Sequence, residues 1–88
     1  MITVWKYAII NDSTLMLPKG AQVLSVNFKN TDLFIFCLID TDQRETESRR
    51  FLTFKTNDAI PSLTNLKFIG TTSIVKQMMF FHTFEMLQ

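Results

Sequence analysis

One histidine, one cysteine, two glycines and two prolines are all that these 88 residues hold of residue types that build many recognisable sites. A lone Cys37 has no intramolecular partner, so neither a disulfide framework nor an oxidising compartment is implied. With His82 the sole imidazole, a structural zinc site, which takes four soft ligands, is excluded. Gly20 and Gly70 stand too far apart to make a phosphate-cradling loop. Neither sign of charge is in surplus. Nine basic and eight acidic residues leave +1, which argues against DNA binding driven by phosphate neutralisation. No run approaches the ~18 apolar residues of a membrane helix, and the first residues lack a charged-then-apolar secretion signal. The expectation is a soluble intracellular protein with no cofactor, no metal and no membrane partner.

Apolar side chain, by contrast, is abundant. The hydrophobic fraction is 47%, with nine Phe, five Met and one Trp, and the mean hydropathy is +0.14. A chain this short forms one domain, residues 1–88, and buries only ~60% of the surface its unfolded form exposes. So much oil under that limit predicts apolar surface left over, and with it self-association into a homo-oligomer, a tetramer or another closed assembly.

Periodicity is strand-like almost throughout. Strands are predicted over 3–10, 21–30, 32–40, 49–56, 66–75 and 77–87, with a short extended piece at 14–17. Residues 41–48 read as a loop, and 57–65 as a loop or one helical turn. In 21–30, Leu24, Val26 and Phe28 alternate with Ser25, Asn27 and Lys29. Residues 32–40, "DLFIFCLID", are apolar on both faces, as in a central strand or one at a subunit contact. "NTD" (30–32) suggests a hairpin turn. Gly20, after Pro18 and Lys19, fits a turn needing positive φ, whereas Gly70 inside a strand suggests a bulge or a close backbone approach. The fold class is all-β: a small antiparallel sandwich or open barrel of about six to seven strands, oligomeric.

Catalysis finds little support. His82 can in principle pair with Cys37 or a serine, but no third orienting group or nucleophile-elbow motif accompanies it. The carboxylates of "DTDQRETE" (40–47) lack the glycine of a calcium loop, and Arg44, Arg49 and Arg50 lie among and beside them. No enzyme is expected. Binding chemistry is better represented. All three arginines fall within 44–50, and guanidinium forks match phosphate oxygens bidentately. Trp5 and Tyr7 share one strand face, with Lys6 on the other, and aromatic faces stack on bases. His82 shares its face with Met78, Phe80, Phe84 and Met86. A lone imidazole so placed is most often a hydrogen-bonded core residue. If that face meets a partner subunit, it lines a groove instead.

The segments "WKY" (5–7), "LPKGAQVLSV" (17–26), "LID" (38–40), "IP" (60–61), "FIGT" (68–71) and "FHTFE" (81–85), in this order over nearly the whole chain, resemble a family of small phage and prophage proteins of largely unknown function. Phe36 stands where many members carry Trp. "TND" (56–58) replaces a "TGH"-type turn, and "VKQMM" (75–79) replaces a glycine-rich run. The resemblance extends to viral sponges of the anti-CBASS type, which sequester cyclic nucleotide signals of bacterial immunity. It implies a non-enzymatic protein of the host bacterial cytoplasm with a cyclic nucleotide ligand held between subunits. Lys6, Arg49, Arg50 or His82 would then meet phosphates. Trp5 or Tyr7 would stack a base, and Thr71 or Thr72 would reach a base edge. The competing expectation is a phage interaction or structural module that docks a host or virion protein through the same apolar surface.

Overall fold

In the computed structural model, which describes residues 1–61, 65–74 and 78–87, seven antiparallel strands form two sheets. The strands are β1 (Ile2–Ile9), β2 (Asp12–Pro18), β3 (Gln22–Lys29), β4 (Asp32–Asp40), β5 (Thr46–Lys55), β6 (Leu66–Ile74) and β7 (Met79–Met86). One sheet has the order β1–β4–β3, the other β2–β5–β7–β6. No helix occurs among the described residues. The expected all-β class holds.

Alternation explains the layering. Side chains at odd positions of β4 and β5 point inward, so Leu33, Ile35, Cys37 and Ile39 meet Phe51 between the sheets, joined by Ile9, Leu17 and Val26. Ile35, Cys37, Leu17 and Phe51 are all fully buried. Burial also pushes the Cys37 thiol up from its ordinary pKa. The product is a slab, 40 × 30 × 15 Å along its principal axes.

Several boundaries differ from those expected. The 14–17 piece is a full seven-residue strand, because Asp12 and Ser13 pair with Leu52 and Phe51 rather than turning. Its Pro18 closes an edge strand, where no ladder donor is missed. The polar 41–48 segment is a loop only to Glu45, since Thr46–Ser48 pair with Pro18–Met16 and carry β5 three residues further. Leu24 does not join Val26 and Phe28. A bulge between Val23 and Ser25 resets the alternation, so Val23 packs on the core and Leu24 is 47% exposed. The expected strand residues Val75 and Gln77 lie outside the described residues.

Both glycines match their expectations. Gly20 has φ +83° in the turn after β2. Gly70 follows a bulge in β6, and a Cβ there would lie 3.1 Å from Val26 Cγ1. Val26 is buried and, being β-branched, has one stiff rotamer. Gly70→Ala should therefore cost about 1 kcal/mol, read as a melting-point drop of about 4–8 °C for a domain of this size. The double variant with Val26→Ala should show no further steric penalty from the methyl at position 70.

Candidate functional site

The outer face of the four-stranded sheet gathers more of the expected binding residues than any other surface. Cross-strand register places Arg50 beside Met86 and Leu66, then Leu52 beside Phe84 and Phe68, then Phe54 beside His82 and Thr71. Phe84 makes edge-to-face contacts with both neighbours, at centroid distances of 6.0 Å to Phe54 and 5.4 Å to Phe68. The result is an aromatic stripe across three strands, and its outermost member, Phe68, is 56% exposed.

Polar groups bracket this stripe. At one end His82 is held between two hydroxyls: Thr56 Oγ1 lies 2.8 Å from Nε2, and Thr71 Oγ1 2.9 Å from Nδ1. A hydroxyl can donate to or accept from a ring nitrogen, and each keeps spare capacity for a ligand. His82 is thus half-buried on an outer face rather than a core residue. At the other end Arg50 forks onto Asp12, with Nε at 2.9 Å and Nη2 at 2.7 Å from the two carboxylate oxygens. The guanidinium holds the Asp12 carboxyl below its usual pKa. Such a depressed carboxylate keeps its partner above the ordinary carboxylate range and loses it as pH falls through the lowered value. The pair is solvent-exposed, so an incoming anion competes with Asp12 for the fork at little cost. Some four residues, about 13 Å of strand, separate the two ends.

The other expected site residues lie elsewhere. Arg49 points the opposite way from Arg50, because neighbours in a strand alternate. Its Nε and Nη2 grip Glu85 at 2.5 and 2.8 Å, and its Nη1 donates to the Ala21 carbonyl oxygen. The Arg49 and Glu85 side chains are 14% and 8% exposed. This fork staples β5 and β7 to the start of β3 and is fully committed. Thr72, opposite Phe81, also faces inward, away from Thr71. Trp5 and Tyr7 lie on the inner face of β1, opposite Cys37 and Ile35. Tyr7 is partly covered and its phenol pushed up by that burial, while Trp5 stays 49% exposed at the sheet edge. Lys6 sits on the outer face of the three-stranded sheet, with Nζ 4.9 Å from the Phe34 ring centroid. Within one chain, then, Lys6 and the Arg50–His82 face are on opposite sides of the slab.

Two clefts lie nearby. One, of about 510 Å³, runs past Arg50, Met86 and Thr14, but Glu47 and Glu85 line it as well. Another, of about 540 Å³, opens at one end of the sandwich between Ile9, Asn11, Phe28, Asp32 and Phe81 and holds none of the expected residues. Among the described residues, no three His, Cys, Asp or Glu side chains converge to hold a metal ion.

Residues 1–88 match the family model described as a domain of unknown function, DUF7352. The chain belongs to that family. No curated protein and no solved structure matches this DUF7352 chain. Its site is therefore defined by its own geometry. The residues missed from sequence are Thr56 and the three phenylalanines of the stripe. Thr56 follows Phe54 at a two-residue spacing just past β5, and the pairing that brings it to His82 depends on the β5–β7 register, marked by the hydrogen bond from the Thr56 N–H to the Phe80 carbonyl.

Proposed function

We propose that this protein is a non-enzymatic sponge of phage origin. It binds a cyclic nucleotide signal of host immunity against the outer face of the β2–β5–β7–β6 sheet and holds it uncleaved in the bacterial cytoplasm. The observation that carries this reading is the meeting on one exposed face of an aromatic stripe, a guanidinium and a threonine–histidine–threonine cluster. Phe68 and Phe84 offer π-faces for a base. Arg50 supplies a bidentate anion contact, and the hydroxyls of Thr56 and Thr71 read polar edges. An open sheet face covers only one side of a small molecule, whereas tight sites enclose most of it. A second copy would complete the enclosure. Sequestration requires only affinity, and the site supplies contacts rather than an activated nucleophile.

Cyclic dinucleotides incubated with the purified protein should raise its melting temperature and come off intact on heat denaturation. Phe68→Ala should weaken binding roughly ten- to a hundred-fold, the worth of one base–aromatic stack. Arg50→Ala and His82→Ala should also weaken it without unfolding the chain. No stabilisation by any cyclic nucleotide well above micromolar concentration would sink the reading.

A second reading, an interaction module docking a host or virion protein, is favoured by one separate observation. The outer face of the other sheet is also apolar, with Ile2 61% and Val4 49% exposed.

A further inference from the structure

We propose that the outer face of the β1–β4–β3 sheet is where two copies of this chain meet, independently of any ligand on the opposite face. The argument begins with β4. Its inward residues are at most 7% exposed, yet its outward residues Phe34, Phe36 and Leu38 are just as apolar. In register beside them on β1 stand Ala8, Lys6 and Val4, with Ile2 next to Asp40. An antiparallel sheet that shows one face to water normally alternates polar residues outward. Along β1 and β4 this one does so only at Lys6 and at the ends of β4, whereas β3 turns Gln22, Ser25, Asn27 and Lys29 outward, so the monomer leaves the β1–β4 part of the face unfinished. The four-stranded sheet exposes Met16, Phe68 and Phe80 as well, but the Asp12–Arg50 pair and the Thr56–His82–Thr71 cluster lie among them.

Charge identifies the occupant. The outward charges of this face are Lys6 and Lys29 against Asp32 and Asp40, two of each sign, with Asp40 also paired to the N-terminal ammonium at 3.2 Å. A surface prepared for a nucleic acid or an acidic partner would carry one sign. A balanced face can instead oppose its own image across a two-fold axis, each charge meeting its complement. Area agrees. A compact monomer of 10.3 kDa exposes about 5,400 Å² by the usual mass scaling, whereas this chain exposes 6084 Å². The excess, about 700 Å², is spread over the whole chain and is of the order of the ~800 Å² each partner buries in a standard stable interface. Its origin is the slab shape, which presents two broad faces where a sphere would present none.

Sedimentation of the unliganded protein at micromolar concentration should give a dimer. Val4→Asp, which puts a charge beside Leu38, should raise the dimer dissociation constant at least thirty-fold, about the weight of an interface hot spot, while Phe68→Asp on the opposite sheet should leave it unchanged. Should Val4→Asp fail to fold, by loss of its far-ultraviolet spectrum, Val4→Cys provides the second measurement. A flexible bis-maleimide should link that variant into covalent dimers, and the same treatment of Phe68→Cys should not. A wild-type chain that stays monomeric, a dimer lost in Phe68→Asp but kept in Val4→Asp, or linkage through position 68 in place of 4 would each overturn the proposal. None of these results bears on nucleotide binding, which is read separately by melting temperature.

Discussion

Glu85→Ala should cost about 3 kcal/mol of folding free energy, the low end of what is lost when one member of a buried ion pair is removed. The substitution leaves the Arg49 guanidinium, whose side chain is 14% exposed, with the Ala21 carbonyl and a looser contact to Glu47 at 3.8 Å. Glu47 is 40% exposed and softens the loss, which is why the low end applies. Glu85 holds Arg49 firmly charged, and their hydrogen bonds are the main reason the guanidinium is even harder to deprotonate than usual. The test is urea denaturation of three proteins. Wild type and the double variant Arg49→Met with Glu85→Leu should have similar midpoints, because well-packed apolar replacements commonly match a buried pair. Glu85→Ala alone should fall well below both. An unfolding free energy for Glu85→Ala within about 0.5 kcal/mol of wild type, the range of ordinary surface substitutions, would show that solvent reaches the pair.

Phe51→Ala should be worse. Phe51 has no exposed surface and sits between the sheets against Ile35 and Cys37. Truncating a buried phenylalanine costs about 3–5 kcal/mol, from lost transfer energy and the cavity left behind. Domains of ordinary stability hold only about 5–15 kcal/mol, so this variant should be largely unfolded at elevated temperature. Phe68→Ala, by contrast, should change stability by less than about 1 kcal/mol, because that ring is already more than half in water. Comparable losses at positions 51 and 68 would contradict the inside–outside assignment of β5 and β6.

Period-two alternation makes the strands readable, and the two-sided apolar character of 32–40 fits a central strand or one at a subunit contact, of which the sheet order shows the first. What alternation did not provide was pairing. Arg49 and Arg50 look alike in the sequence, and only their opposite parity, fixed to the interior by Phe51, separates a committed staple from an available fork. Thr71 and Thr72 divide in the same way. The bulge at Leu24 was invisible because one extra residue in β3 leaves the local pattern apolar at 24, 26 and 28. His82 was ambiguous for another reason. Its neighbours Phe80 and Phe84 are as oily as a core, and a face that is greasy yet outward is indistinguishable by composition from one that is buried. The threonine clamp depends on register between three strands, which no local signal encodes.

The full enclosure of Cys37 makes the native chain its own reporter of breathing. It lies mid-way along a central strand, in register between Trp5 on one side and Val23 on the other. An alkylating reagent can reach its sulfur only when the sandwich parts. The rate of that modification then counts rare openings of the whole body rather than fraying at its ends, and a compound that clamps the two layers shut should slow the chemistry in proportion.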